Sequence, residues 1–371
     1  MSAKETKMVK VCHMTSVHSP EDGRIFRKEC TSLANAGYDT YLIQQGDSYE
    51  KNGVHIIGFG KPESSRIKRM LASSRKVYKK ALSVDADIYH FHDPELLRIG
   101  LKLKKKGKKV VFDSHEDTGA FIMEKDYIPL FIRKAVSKIY RKYERSICKR
   151  LDGVICVSPD VESYFSGLNK NCEVITNYPI VEDAFTEPDY GSKKLFFAGM
   201  LIPLWHHHNI IDAIKDIDGA NYTVCGMSDK DYLSSLSKMS GWEKVRYLGR
   251  VDFDTVKSEM NGSAIGICIL GESLIGGSFG NTKLFEEMMA GLPVVCSDYT
   301  NWKTIIEDNE CGICVPPDDT KAIHDAIKKL IDNKELAREM GLNGRRLSET
   351  KYNWKSQEVR LLSFYDRLSN K

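Results

Sequence analysis

SFGNTKLFEEMMAGLPVVCSD, residues 278–298, reads as a loop, a short helix and a buried strand in immediate succession. The loop from 271 to 280 that leads into the helix carries Gly271, Gly276, Gly277 and Gly280, so this stretch of backbone can approach a ligand with no Cβ in the way. A helix beginning at Asn281 or Thr282 aims unpaired N–H groups and the positive end of its dipole at that loop. Gly291 closes the helix, Pro293 prevents its resumption, and Val294-Val295-Cys296 opens a strand. The pattern predicts a seat for an anion at the helix mouth. Of the two acids in mid-helix, Glu286 is expected on the side facing the glycine loop and Glu287 in solvent.

Strand candidates and amphipathic helices alternate along the rest of the chain, which predicts parallel sheets covered on both faces. MVKVCHMTS leads into SPEDG and a helix over RIFRKECTSLANAG, with Asp22 as its expected N-cap; YDTYLIQQ, ADIYHFHD, KKVVFDSHED and LDGVICVSPD follow as strands whose ends turn polar. In open parallel sheets ligands sit beyond the carboxyl ends of the strands, so His13, His90, His92, Asp93, Asp113, His115, Glu116 and Ser158 are drawn to one edge. A second series runs through KLFFAGM, NYTVCGM, VRYLGRV, AIGICIL, PVVCSD and CGICVPP. Between the two, EVITNYPIVEDAFTEPDYGSKK lacks periodicity and reads as a linker. With 371 residues the expectation is two domains, 1–182 and 183–352, with a final helix over 353–371 crossing back to the first.

Hydrophobic content of 42% and charged content of 29% fit a globular protein and not a disordered one. No apolar run is long enough to span a bilayer and the first residues lack an apolar signal core, so the expected location is the cytoplasm or the inner face of the membrane. Ten scattered cysteines read as reduced, buried small hydrophobes, including the close pair Cys311 and Cys314. The net charge of +4 conceals an asymmetry: residues 1–185 hold 32 Lys and Arg against 24 Asp and Glu, the remainder 23 against 27. The excess lies in three runs, 66–80, 102–109 and 131–150. In the last, Phe131, Ile132, Val136, Ile139, Tyr140 and Tyr143 recur at helical spacing among the cations, as in a helix lying on anionic lipid, although a solvated helix packed on its own core gives the same pattern. No DNA- or RNA-binding motif accompanies the charge, so nucleic acid is not an expected partner.

HSPEDGRIFRKECTSLANAGYD, ADIYHFHDPELLRIG, FDSHED, LDGVICVSPDV, FFAGML, NTKLFEEMMAGLPVV and GICVPPDD together resemble the GT-B glycosyltransferases of family 4, over essentially the whole chain. The resemblance implies two Rossmann-like doubly wound domains facing across a cleft, and a retaining transfer from a UDP- or GDP-sugar without metal or other cofactor. The basic first half of the chain adds the expectation of a saccharide or lipid-linked saccharide acceptor in polysaccharide assembly. By the same resemblance Glu286 holds the nucleotide ribose, and Phe279, Gly280, Asn281, Thr282, Lys283 and Leu284 surround the diphosphate. His115 is the catalytic candidate beside the donor sugar, and Arg250 and Val251 hold the base. Gly23 lets backbone approach the sugar phosphate, Arg24 is placed on a phosphate or on Asp22, and His92 and Asp93 are assigned to the acceptor side.

Two departures stand out. Ser278 occupies the first position of the family's Glu-x(7)-Glu pair, and Met200 and Trp205 stand where two phosphate-binding cations are usual, leaving His206 as a substitute donor. His206, His207 and His208 are consecutive, which argues against a shared metal ion. The same departures suit a non-catalytic glycosyltransferase-like subunit, which remains the alternative, with a sugar-nucleotide epimerase on the same scaffold behind it.

Overall fold

The computed structural model describes residues 8–61, 66–125, 127–182, 184–273 and 277–369. The side chains of residues 66–70, at the head of the first basic run, and Gly276 of the glycine loop lie outside the described set.

The chain divides into two compact units, residues 1–177 with 354–371, and residues 178–353. The division falls earlier than 182 because Tyr178 already packs edge-on against Phe285, with ring centroids 4.7 Å apart, and against Tyr352. Its aromatic surface belongs to the second core.

In the first unit the strands are β1 (Lys10–Met14), β2 (Asp39–Gln44), β3 (Tyr49–Lys51), β4 (Val54–Gly58), β5 (Ile88–Phe91), β6 (Lys109–Ser114), β7 (Gly153–Cys156) and β8 (Cys172–Val174). They form one sheet in the order β3-β4-β2-β1-β5-β6-β7-β8, parallel except for the β3–β4 hairpin. That hairpin turns on Asn52 and Gly53, both at positive φ, a pairing of residues suited to a tight two-residue turn. The order reverses between β1 and β5, so the loops after these strands flank the switch point of the sheet.

The helix expected after SPEDG begins differently. Ile25–Cys30 is a π-helix, continued by an α-helix over Thr31–Asn35. The Asp22 carboxylate accepts from the N–H groups of Arg24 and Ile25 at 2.9 and 3.0 Å, so Asp22 does cap this segment. The C-terminal helix Trp354–Ser369 buries Leu361, Phe364 and Tyr365 on Val11, Ile88, Val111 and Ile155, one residue from each of β1, β5, β6 and β7. Gly153 makes room for it, since a Cβ there would stand 2.5 Å from the Phe364 ring.

The second unit has β9 (Lys194–Ala198), β10 (Asn221–Cys225), β11 (Val245–Gly249), β12 (Ile265–Cys268), β13 (Val294–Ser297) and β14 (Gly312–Val315). All pair in parallel, in the order β11-β10-β9-β12-β13-β14, and the reversal lies between β9 and β12. The cysteines are buried or half-buried and free; Cys296 and Cys314 sit side by side on β13 and β14.

Phe364→Ala removes a fully buried ring from beneath four strands. A loss of about 3–5 kcal/mol is expected, read as a lower urea midpoint for the first unit.

Candidate functional site

The loop after β12 and the loop after β9 meet at the switch point of the second sheet, joined by the Gly271 N–H donating to the Leu204 carbonyl at 2.8 Å. Beyond them the helix Thr282–Met289 begins. Asn281 is its N-cap: Oδ1 accepts from the Lys283 N–H at 3.2 Å, while Nδ2, buried, has no hydrogen-bond partner among the described residues. Ser278 is committed to the loop itself, its hydroxyl accepting from the Gly280 N–H at 3.1 Å and its carbonyl facing the Trp302 indole N–H.

Lys283 answers the question raised by Met200 and Trp205. Met200 is exposed, and Trp205 is a buried ring in the β9 loop. The Lys283 ammonium stands over that ring, 4.7 Å from its centroid, and 6.0 Å from that of Phe197, and the stem lies against Gly199, where a Cβ would collide with it. The cation absent from the β9 loop is thus supplied by the facing helix, held on an aromatic platform. His206 takes a left-handed conformation at φ 45°, beside Gly271 and 3.3 Å from the Asp318 carboxylate. His207 turns into the core to the Tyr222 hydroxyl, with its pKa lowered to about 3 by burial, and His208 turns to the Tyr232 hydroxyl. The three rings have three separate environments. Arg250 is exposed after β11, Val251 half-buried, and Thr282 and Glu286 half-buried on the helix.

In the first unit a buried carboxylate organises the strand ends. Asp113 on β6 receives both Arg24 Nε at 2.8 Å and Nη2 at 2.9 Å, and its Oδ2 also lies 3.1 Å from His92 Nδ1 and 3.1 Å from His115 Nε2. Burial alone would raise its pKa, but Arg24 and then His115 hold it well below the ordinary carboxylate range. His115 is one-quarter exposed, while His92 and Asp93 are buried. Asp93 receives the hydroxyls of Thr15 and Ser16 and stands 2.9 Å from His18 Nδ1.

Two family models divide this chain between them: glycosyltransferase family 4 matches residues 23–178, and glycosyl transferases group 1 matches residues 182–347. The chain is a family 4 glycosyltransferase. A phosphatidyl-myo-inositol mannosyltransferase of Mycolicibacterium smegmatis is 24% identical over 355 residues, 91% of this chain and 87% of that one. Among solved structures, the sucrose-phosphate synthase of Thermosynechococcus elongatus superposes with a TM-score of 0.75 at 15% identity, over 98% of this chain and 99% of that chain. Anabaena Alr3699/HepE in complex with UDP and glucose gives 0.71 at 14% identity, over 98% and 100%. These likenesses establish the GT-B fold.

Several placements in this glycosyltransferase differ from the sequence-based expectations. Arg24 is not available to a phosphate: it is buried, and its guanidinium is spent on Asp113, the Ile175 carbonyl and Glu29. The switch to a π-helix turns it inward. Gly23 is exposed with open space where a Cβ would go, so the loop leaves room there but does not demand glycine. The Leu284 side chain is fully buried in the core, leaving only its backbone to face the loop. Asp93 and His92 lie beneath the surface and offer no exposed atom for the acceptor contact expected of them. His18, unmarked in the sequence reading, is the residue that reaches outward here, its ring 5.0 Å from that of His115. Burial lowers its pKa but the Asp93 hydrogen bond and charge overcome this and raise it overall. Its signal in the sequence was a histidine inside a polar loop directly after a strand.

Glu287 is the clearest correction. It is buried, not solvated, and its carboxyl lies against Gly266, where a Cβ would stand 2.7 Å from Oε2. Burial raises its pKa well above the usual range, Lys283 partly opposes this, and Glu286 adds to it. Because the folded form holds this proton more tightly than the unfolded chain, its contribution to stability is intact below about pH 4 and is lost as pH rises toward the elevated pKa. Glu287→Gln is therefore expected to flatten the decline in melting temperature between acid and mildly alkaline pH. Parallel wild-type and variant pH profiles would refute the assignment.

Proposed function

We propose that this glycosyltransferase moves a hexose from a UDP- or GDP-sugar, with retention of configuration, to a saccharide or lipid-linked saccharide acceptor in glycan assembly. The observation that carries the donor assignment is the mouth of the Thr282–Met289 helix. Its first turn offers orphan N–H groups, an Asn281 Nδ2 unpartnered among the described residues and the Lys283 ammonium, which suits a diphosphate leaving group. A sugar leaving its nucleotide develops negative charge on that diphosphate, and fixed dipoles with one cation neutralise it without a metal. Glu286, on the same helix, is assigned to the ribose hydroxyls, with Arg250 and Val251 at the base and His206 beside the phosphates. His115 is assigned to the reacting sugar; Asp113 fixes its ring. The UDP complex of HepE and the lipid substrate named for the mycobacterial relative favour these classes of donor and acceptor.

A thermal-shift series against UDP, GDP and their sugars tests the donor. One nucleotide is expected to raise the melting temperature, and Lys283→Ala to weaken its binding by about tenfold or more through loss of a charge-assisted contact. Failure of both nucleotides to shift melting removes the assignment.

The acceptor side suggests a membrane surface. On the helix Leu130–Cys148, Phe131 and Ile139 are exposed at 87% and 69%, and Lys134, Lys138, Lys142, Arg145 and Lys149 line an open groove on the same element. Exposed apolar side chains among cations suit anionic headgroups, with the rings reaching the acyl boundary. The protein is expected to co-sediment with phosphatidylglycerol vesicles at low salt and to be released by high salt or by Phe131→Ser with Ile139→Ser. Absence of binding at low salt removes the membrane reading and leaves the transfer reaction untouched.

A further inference from the structure

The core of the first unit holds a histidine and carboxylate cluster of which only His92 borders the residues assigned to the transfer reaction. His13 on β1 pairs in register with His90 on β5, and His92 follows two residues later on the same face, its N–H continuing the ladder to the Met14 carbonyl. Glu29 enters from the π-helix. All four side chains are fully buried or nearly so, and one ligand-type atom from each lies within 4.8 Å of the other three. The separations are 3.0 Å from His13 Nδ1 to His92 Nε2, 3.7 Å from His13 Nδ1 to Glu29 Oε2, and 3.9 Å from His92 Nε2 to Glu29 Oε2. The ring centroids of the three histidines stand 4.4, 4.7 and 5.2 Å apart.

The opposite edges of the rings are already held. His92 Nδ1 is 3.1 Å from Asp113 Oδ2, and the Tyr365 hydroxyl lies 3.1 Å from His13 Nε2 and 2.7 Å from His90 Nδ1. The two lone pairs of that phenolic oxygen are enough to accept from both rings. What remains is His90 Nε2, buried with no hydrogen-bond partner among the described residues, and Glu29, whose Oε1 is ion-paired with Arg24 Nη2 at 3.1 Å while Oε2 faces the imidazoles. A direct hydrogen bond from His13 to His92 accounts for one of these contacts and leaves His90 Nε2 unsatisfied, at the cost attached to any buried orphan.

The backbone is specialised at the same place. The Glu29 N–H donates to the Arg24 carbonyl at 3.0 Å, an i to i+5 bond, and π-helical turns recur at functional sites. Burial keeps His13 and His90 neutral and brings His92 down to about 4, which is the state a metal requires of imidazole.

We propose that His13, Glu29, His90 and His92 form a closed four-ligand site for one divalent transition metal of the zinc class, pinning β1, β5 and the π-helix together. Three imidazoles and one carboxylate suit zinc and exclude the all-oxygen shells of calcium and magnesium. Asp113, ionised against Arg24, and Tyr365 supply the outer-shell partners that orient metal-bound imidazoles. Because all four donors are buried, the ion is taken up as the unit folds and serves the scaffold; sugar transfer needs no contact with it.

The test uses the full chain, purified from metal-replete medium without chelator. Elemental analysis is expected to find about one zinc-class ion per chain. Refolding with Co2+ is expected to give the visible absorption of a four-coordinate nitrogen and oxygen site, and refolding with Zn2+ a higher melting temperature than refolding with chelator. Glu29→Gln and His90→Gln should lose the ion. Should either variant fail to fold, X-ray absorption of the wild-type protein decides, three imidazoles and one carboxylate oxygen supporting the site and any other shell overturning it. A wild-type chain that carries no metal and takes up neither Co2+ nor Zn2+ on refolding overturns the proposal, as does an ion retained by both variants. None of these outcomes bears on nucleotide binding.

Discussion

The buried ion pair between Arg24 and Asp113 is the constraint on which the first unit is built. A carboxylate taken fully out of water is tolerated only with a charged partner and with its remaining lone pairs filled. Arg24 provides the first through a two-nitrogen contact, and His92 and His115 provide the second. This one requirement fixes the inward turn of the π-helix, the end of β6, and the ring of the histidine that reaches the surface. Asp113 therefore positions the candidate catalytic residue and the buried cluster at once.

In the second unit the equivalent constraint is the switch point between β9 and β12. Two loops emerge there side by side, and the glycines at 199 and 271 exist because Lys283 and His206 pass where a Cβ would stand. Substitution of the usual cations by Met200 and Trp205 does not empty the region of positive charge. The Lys283 ammonium, from the facing helix, stands over the Trp205 ring. The buried carboxyl of Glu287, one turn below Lys283, lies within the field of that ammonium, yet burial still raises its pKa well above the usual range.

Much of this was legible in the chain. Alternating strand and helix patterns, polar residues at strand ends, and a glycine loop closed by a helix gave the two parallel sheets and the region of each that carries function, because these features are local and periodic. The Asn-Gly turn of the β3–β4 hairpin was equally local, yet lay unread among the longer elements. Roles that depend on direction were harder. Arg24 and Glu287 are both charged residues in helical segments, where a position in solvent is the ordinary outcome, and nothing in their neighbours' identity reveals which way a π-turn or a helix face will rotate them.

By itself, then, the sequence determined the two-unit α/β architecture, the family and the capped helix that follows the glycine loop, since backbone conformation at glycine, proline and capping residues depends on adjacent positions. Tertiary structure alone decided that Arg24 is spent on Asp113, that Lys283 rests on Trp205, and that four residues from β1, β5 and the π-helix converge in the core. Those outcomes join residues up to 89 positions apart, as Arg24 and Asp113 are. Their energies come from burial and pairing, which exist only once the strands have taken their order in the sheet.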